Sequence, residues 1–339
     1  MEHEQPKKKK MSALKKVVVS AVTVVLAGAI CIGAYVCIQL WRMQQGSIGI
    51  VDPSEINDPG STDLAPSTPQ PIYKKDPLDQ DVINILLAGS DAQKGEAHGR
   101  TDSMILLSYN KKANTAKLVS FMRDTWLEIP GHGEDRLNTA SRFGGIGLTI
   151  NVINDYYDLD IQNYVIVRFE EFVEIVDKIG GIEIELDSSE IAFINKKAHN
   201  SDRLSSRAGT KTLNGEQSLW HCRNRTDRSG DFARTQRQRD VMFIIFNKLT
   251  KVRNPVTLMD ILNFSAEHVE TNIPVDQMLS IGMDALSSDL TLSETRVPFD
   301  GTYEITGHDG KKGVFDVDFE AATLMLHEFL YGSYTRMGY

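Results

Sequence analysis

Between His221 and Asp240 the chain reads HCRNRTDRSGDFARTQRQRD, with six arginines and no lysine. Guanidinium is planar and presents paired donors, so arginine at this density points to bidentate recognition of carboxylate or phosphate, which an ammonium does not supply. If the run after Gly230 is helical, with Asp231 as a candidate N-cap, Arg234, Val241, Ile245 and Leu249 share one stripe, and Arg237, Val241 and Ile244 form the row beside it. Arginine is then aimed along an inward face, where an unpaired charge is costly and needs an anionic partner. Two partners are open: a bound anion, or an internal ion-pair network with Asp227, Asp231 and Asp240.

Three further polar points accompany this stretch. Asp91 follows NILLAGS, Arg100 and Asp102 lie in GRTD just before SMILLSYN, and Arg123 and Asp124 lie in RDT after AKLVSFM. Each sits at the end of a strand-like run, where α/β folds place ligand sites. Carboxylates mixed with arginines suit a phosphate ester: the acids hold a hard divalent cation through oxygen, and the arginines neutralise phosphoryl oxygens as charge develops. Other chemistries lack their signatures. The eight histidines are dispersed without HxxxH spacing, and there is no G-x-S-x-G elbow and no P-loop. Gly144-Gly145-Ile146-Gly147 lacks dinucleotide spacing and reads as a helix-start loop. Cys31 and Cys37 fall in an apolar run, which leaves Cys222 without an intrachain partner and best read as a packing residue.

The elements that must position these residues alternate. VINILLAGS (Val82–Ser90), SMILLSYN (Ser103–Asn110) and AKLVSFM (Ala116–Met122) read as buried strands. A helix over Ser141–Tyr157, a strand over Asn163–Phe169, a helix over Glu170–Ile179 stopped by Gly180-Gly181, and a strand over Ile182–Leu186 follow. This order predicts a three-layer α/β/α domain around a central mixed sheet. Ser188–Leu213 reads as an irregular surface excursion and Asn214–Cys222 as a short helix, and helical patterns dominate from Pro255, ending in Asp318–Tyr331.

Ahead of the domain, Val17–Trp41 is 25 residues without a charge, long enough to cross a hydrocarbon core of about 30 Å, and six lysines precede it. It reads as one uncleaved N-terminal transmembrane helix rather than a cleaved signal or a buried core helix. The lysines put the N-terminus in the cytoplasm and the domain outside. The whole chain has 37 Lys and Arg against 46 Asp and Glu; residues 1–42 take seven of the former and two of the latter, leaving 30 against 44, a net of about −14. A general nucleic-acid binder is basic, so that class is set aside. The expected division is a basic cytoplasmic tail (1–16), the membrane helix (17–41), a flexible linker (42–80), the catalytic domain (81–253) and a mainly helical extension packed on it (254–339).

The ordered motifs NILLAGSD, GRTDSMILLS, VSFMRDTWLEIPG, DRLNTASRFGG, NYVIVRFEEFVEIVDKIGGIEIEL, GTKTLNGEQSLWHCRNR and GDFARTQRQRD resemble the LytR-CpsA-Psr family of cell-wall proteins, over Val82 to Leu249. The resemblance implies a phosphotransferase that binds a polyprenyl-pyrophosphate (or phosphate) glycolipid donor and transfers its glycopolymer, such as teichoic acid or capsule, to a peptidoglycan acceptor. It implies metal-binding acids at Asp91 and Asp102 for Mg2+ or Mn2+. It puts anion-binding groups at Arg100, Arg123, Arg223, Arg225, Arg234, Arg237 and Gln238, and catalytic roles at Arg100, Asp102, Arg123, Asp231 and Arg234. A pyrophosphatase side activity accompanies that reading, and a non-catalytic polyprenyl-phosphate-binding regulator is its alternative. The chain departs from the family pattern at Met122, where Pro is usual before the RDT arginine, at Arg136, where Lys is usual, and at His221-Cys222, where an aromatic-aliphatic pair is usual. The lipid implies an apolar tunnel, with the apolar residues of Ile146–Tyr157 and Phe169–Ile179 as candidate lining.

Overall fold

Strands that are apolar on both faces must be covered on both, and the four central runs of this chain are of that kind. The computed structural model describes residues 30–55, 69–91, 99–199, 202–225, 230–249, 251–252, 254–287 and 290–332. In order these form helix α1 (30–43), strands β1 (Ile50–Val51), β2 (Ile72–Tyr73), β3 (Val82–Ser90), β4 (Thr101–Asn110), β5 (Thr115–Phe121), β6 (Trp126–Ile129) and β7 (Gly133–Arg136), and helix α2 (Ala140–Tyr157). Then come β8 (Asn163–Arg168), α3 (Phe169–Lys178), β9 (Ile182–Leu186), α4 (Ser188–Lys197), β10 (Gly209–Leu213), α5 (Gly215–Cys222) and α6 (Asp231–Leu249). The rest is α7 (Pro255–His268), β11 (Glu270–Thr271), α8 (Val275–Ser287), β12 (Thr291–Val297), β13 (Tyr303–His308), β14 (Lys311–Val317) and α9 (Phe319–Tyr331).

Six strands make one mixed sheet in the order β11-β8-β3-β4-β5-β12. β3 runs parallel to β8 and antiparallel to β4, and β12 runs parallel to β5. The period-2 alternation divides the side chains between two layers. Leu86, Met104, Leu106, Val119 and Phe121 face α2 and α9 in the main core. Leu87, Ile105, Val165 and Val167 face the other way, beneath α3 to α6. A second core of Val176, Ile182, Leu186, Ile194, Leu213 and Val241 holds those helices to β9 and β10. The α/β/α layering and the mixed sheet are as the sequence predicts.

Three expectations are corrected. The spacer expected over 42–80 is ordered structure at residues 69–80: Ile72 is fully buried, Tyr73 N donates to Asn151 Oδ1 at 2.9 Å, and Leu78 N to Asp160 Oδ2 at 2.8 Å. This segment lies so close to α2 that a Cβ on Gly147 would meet the Gln70 carbonyl oxygen at 1.9 Å. The excursion expected at Ser188–Leu213 contains α4, opened by a capping box in which Asp187 accepts from Glu190 N and Glu190 reaches back to Asp187 N, and β10, paired along all of β9. The extension from 254 is not simply helical: β11 and β12 supply both edges of the central sheet, and β13 and β14 form a hairpin. Short strands pairing across long sequence distances leave little local signal, whereas the helices between them carry a periodic pattern.

Residues 1–29, which include most of the apolar run, and 56–68 lie outside the described residues. Among the described residues no helix is long and apolar enough to cross a membrane. α1 is described from Ile30 onward, and its Tyr35 and Arg42 contact Asn263 and Glu267 of α7.

Candidate functional site

The expected acids stand at the joined ends of β3 and β4. Gly89 pairs with Ser103 and Ser90 with Thr101, so Asp102 is the extra residue of a β-bulge. A bulge turns a side chain out of the strand's alternation, and here it puts the Asp102 carboxylate at the lip of a cavity. Asp91 sits just beyond β3, where its Oδ1 accepts from Arg100 N at 2.5 Å and its N–H donates to Arg100 O at 3.1 Å.

The arginine cluster is organised by two carboxylates. Arg123, delivered by the turn after β5, donates from Nη1 to Asp102 Oδ1 at 2.6 Å, and its Nε lies 3.7 Å from Asp231 Oδ1. Arg234, one turn into α6 and only 2 % exposed, grips Asp231 with both terminal nitrogens, each 2.8 Å from one carboxylate oxygen. Arg225 adds a third guanidinium, its Nε 3.6 Å from Asp231. Asp231 is the first residue of α6, and its carboxylate gathers arginines instead of serving as the expected cap. Asn138 donates to Asp102 at 3.4 Å, and Asp124 lies between Arg123 (3.4 Å) and Arg136 (3.2 Å).

Burial and charge pull these groups in different directions. Burial pushes Asp102 upward, but the charge and hydrogen bond of Arg123, with Arg234 and Asn138 behind them, hold it below the ordinary carboxylate range. Burial dominates at Asp231 and raises it despite Arg234 and Arg123, with Asp124 adding to the rise. At Arg234, burial pulls the guanidinium down to about 10, which leaves it charged at neutral pH. Arg234 also carries a buried Nε–H without a hydrogen-bond acceptor, and the buried Arg123 Nε–H makes only longer ionic contacts, 3.4 Å to Asp124 and 3.7 Å to Asp231.

Behind the cluster lies a cavity of about 460 Å³. Its floor is the sheet face of Leu87, Ile105, Val165 and Val167, its walls include Phe172 and Phe193, and its polar groups include Asp102, Arg223, Arg225, Arg234 and Gln238. A helix face packed on the sheet would close this space; here the roof helices α3 and α5 contact each other instead. They meet so closely that a Cβ on Gly215 would lie 2.0 Å from the Val173 carbonyl oxygen. Arg223 rests on the rings of Phe169 and Trp220, at 4.8 and 5.2 Å from their centres. The tunnel lining expected from Phe169–Ile179 is present through Phe169 and Phe172. The lining expected from Ile146–Tyr157 is not, because those residues belong to the main core on the opposite side of the sheet.

Of the expected anion-binding residues, Arg123, Arg225 and Arg234 converge on Asp231, with Arg223 and Gln238 on the cavity wall. Arg100 is solvent-exposed and contributes its backbone to Asp91. Arg237 is tied to Glu190 Oε1 at 2.9 Å and to the Asn224 carbonyl at 3.1 Å, so it braces α6 against α4 and is not a cavity group. Asp227 lies outside the described residues. Asp240 takes a hydrogen bond from Gln236 at 3.0 Å and is not part of the cluster. Cys222 is buried, with its thiol pushed up to about 12, as suits a packing residue. Met122 is buried as well, its sulfur accepting from Thr235 Oγ1 at 3.7 Å.

Several site residues were not anticipated. Asn138 gave no separate signal, since it acts through a contact distant in sequence; Asp124 was marked only as part of the RDT strand end, without its pairing to Arg136. Phe193 and Lys197 line the cavity from α4, and the Asp187-x-x-Glu190 capping pattern would have revealed that helix.

Among the described residues no group of three or more His, Cys, Asp or Glu is arranged to hold a metal ion. Asp91 and Asp102 alone supply hard oxygen donors on adjoining strand ends, and Asp102 is held ionised. They fit a magnesium- or manganese-type ion only as a partial shell, to be completed by water and by phosphate oxygens of a ligand.

The family model described as "LytR_cpsA_psr family" matches residues 57–318. The chain is 35% identical over 203 residues to the polyisoprenyl-teichoic acid–peptidoglycan teichoic acid transferase TagU of Bacillus licheniformis, covering 59% of this chain and 63% of that protein. It is 33% identical over 221 residues to the TagU of Bacillus mycoides, covering 65% and 69%. The chain thus spans somewhat less than two thirds of the first of these relatives. A solved structure of the LytR-CPS2A-psr family protein YwtF (TagT) with bound octaprenyl pyrophosphate lipid superposes with a TM-score of 0.55 at 24% identity, covering 76% of this chain and 93% of that one. With the family match extending over most of its length and over every strand of the central sheet, the chain belongs to the LytR_cpsA_psr family.

Proposed function

We propose that the protein is a transferase that moves a glycopolymer, teichoic acid or a similar wall polymer, from a polyprenyl-linked pyrophosphate or phosphate donor onto peptidoglycan. One observation carries this reading: an apolar cavity opens directly onto a cluster of arginines held by Asp102 and Asp231. An isoprenoid tail needs the first and a phosphoryl group the second, and few other ligands need both. TagU relatives bear the transferase name, and a neighbour of the same fold holds octaprenyl pyrophosphate.

Binding would seat the lipid against Leu87, Ile105, Val165 and Phe172, with the phosphate between Arg225, Arg234 and Gln238. Arg123 and Arg234 would stabilise charge as it builds on the phosphoryl oxygens. A divalent cation held by Asp91 and Asp102 would add Lewis-acid stabilisation to the same oxygens. A peptidoglycan sugar hydroxyl would attack the phosphorus that bears the glycopolymer, forming a new P–O bond as the bond to the departing polyprenyl phosphate breaks, and the hydroxyl proton needs an acceptor. Asp231 suits that task better than Asp102, because burial raises its basicity while Arg123 depresses that of Asp102. Water in place of the hydroxyl would give the pyrophosphatase side reaction. Val17–Trp41 would anchor the protein as a single-pass protein of the cell membrane, with its N-terminus cytoplasmic and the catalytic domain outside, where peptidoglycan is found.

The test is transfer from a synthetic polyprenyl-pyrophosphate glycolipid to peptidoglycan oligomers by the purified chain. Divalent-dependent transfer should fall at least about a hundredfold in Arg123→Ala with Arg234→Ala. Transfer persisting in the double variant would remove this site from the reaction. Tight lipid binding without transfer to any acceptor would favour a binding regulator.

A further inference from the structure

Asn138 sits where the parts of the site are joined. It is 5 % exposed, in the middle of a single 3-10 turn, Leu137–Thr139, that leads into α2. The backbone of this turn is tied to the segment after β5: Leu137 N donates to Thr125 O at 2.8 Å, and Asn138 N to Arg123 O at 3.2 Å. Side chains reach the other way, to the start of β4. Ser141 Oγ accepts from Thr101 N at 3.0 Å and donates to Gly99 O at 2.7 Å, while Asn138 Nδ2 donates to Asp102 Oδ1 at 3.4 Å. Ser141 holds the strand, and Asn138 holds the carboxylate.

The way that carboxylate is held is unlike its neighbour. Arginine and carboxylate favour a two-pronged pairing, as Arg234 and Asp231 adopt. Arg123 and Asp102 do not pair in this way. Arg123 turns Nε toward Asp124 and Asp231, at 3.4 and 3.7 Å, and gives Asp102 a single bond, from Nη1 to Oδ1 at 2.6 Å. Asn138 donates to the same oxygen, and among the described residues none donates to Oδ2 of Asp102. The Asn138 amide gains little else from its position. Its own Oδ1 is buried without a hydrogen-bond partner, and a turned amide would set that oxygen against the Asp102 carboxylate. A buried carbonyl left unpaired weighs against the folded state, so stability alone would favour an apolar side chain of similar shape here.

We propose that Asn138 is a positioning residue for the transfer reaction: by sharing Oδ1 of Asp102 with Arg123, it keeps the carboxylate from closing into a two-pronged pair and leaves Oδ2 free for a divalent cation at the phosphate. This rests on the reading of Asp102 as a cation ligand at the phosphoryl site. Groups that orient a metal-binding side chain without touching the metal change its affinity by about 10- to 100-fold when removed. Asn138 would act through Asp102 in this way, and the Ser141 bonds and the backbone bonds of the turn would keep the strand ends together without it.

The test uses the full chain in detergent micelles, as wild type, Asn138→Leu, Asn138→Ala and Asp102→Asn. Leucine removes both the donor and the unpaired carbonyl at similar size, and alanine serves should leucine disturb the fold. The readouts are the urea midpoint, the affinity for Mn2+ in the presence of geranylgeranyl pyrophosphate, read from the free-ion EPR signal, and kcat and KM for transfer from the glycolipid. In Asn138→Leu the midpoint should stay at or above that of wild type. Mn2+ should bind at least about tenfold more weakly, and kcat should fall by a similar factor while KM for the glycolipid changes by less than about twofold. Wild-type Mn2+ affinity in either folded variant overturns the proposal, whatever happens to kcat. A wild-type chain that holds no more Mn2+ than Asp102→Asn overturns the cation reading of Asp102, and the role of Asn138 with it.

Discussion

Arg234 grips both oxygens of Asp231 from inside the protein, and this fork is the most committed contact of the site. Lysine keeps the charge but not the paired geometry, so Arg234→Lys should lower transfer by about tenfold or more, approaching the alanine variant. Activity above half of wild type would show that charge alone suffices. Asp231 gives a pH prediction of definite sign. Its native value is raised above the ordinary 3.8, so the folded state binds more protons than the unfolded one between those two values. The contribution of Asp231 to stability therefore falls as pH rises through its native value. Asp231→Asn should lack that component, so wild type should lose stability relative to the variant as pH rises from about 4 through the native value of Asp231 in urea titrations. At this scale the sequence was informative where chemistry is written in residue type: the inward aim of Arg234 follows from helical spacing. The bulge at Asp102 was not legible, because it depends on how β3 and β4 register against each other. Arg237 shared the helical row that made it a candidate, but its fate depends on Glu190, 47 residues away.

Elements set the shape that the residues decorate. α3 and α5 roof the cavity, and they meet at Gly215 with no room for a methyl group. Gly215→Ala should therefore cost about 1–3 kcal/mol in chemical denaturation, as overpacking does, and should weaken lipid binding by shifting Leu219 and Trp220. A variant with wild-type stability and binding would show that the two helices are free to separate. The β13–β14 hairpin acts on the other side. Phe315 N donates to the Asp124 carbonyl at 2.9 Å, and Phe232 of α6 packs on Tyr303 and Phe315 beneath the Arg296 guanidinium. The turn carrying Arg123 and the helix start carrying Arg234 are thus held by one hairpin. The strands β3, β4, β5, β8 and β9 were legible because each is a compact apolar or alternating run. The hairpin was not: GTYEITGHDGKKGVFDV has an exposed, weakly alternating face, and its contacts with Phe232, Asp124 and Trp126, all distant in sequence, make it structural.

The whole molecule is less divisible than its sequence suggested. A boundary after Arg253 would leave β5 and β8 as raw edges, since β12 and β11 cover them from the C-terminal part. A chain ending at Arg253 should accordingly aggregate or fail to show cooperative unfolding, while one ending at Gly332 should behave as the full protein; size exclusion and thermal melts decide. A soluble, cooperatively melting short chain would mean that the edges are dispensable. The same arrangement has a temporal side. Synthesis runs from Val82, the first residue of β3, to Val297, the last of β12, which is 215 residues later. At about 5–20 residues per second, that is roughly 10 to 40 s of sheet assembly, in which the flank of β8 stays unmatched until β11 is made and that of β5 until β12 is made. Whatever receives the nascent chain must keep those flanks apart from other chains until its final third has emerged.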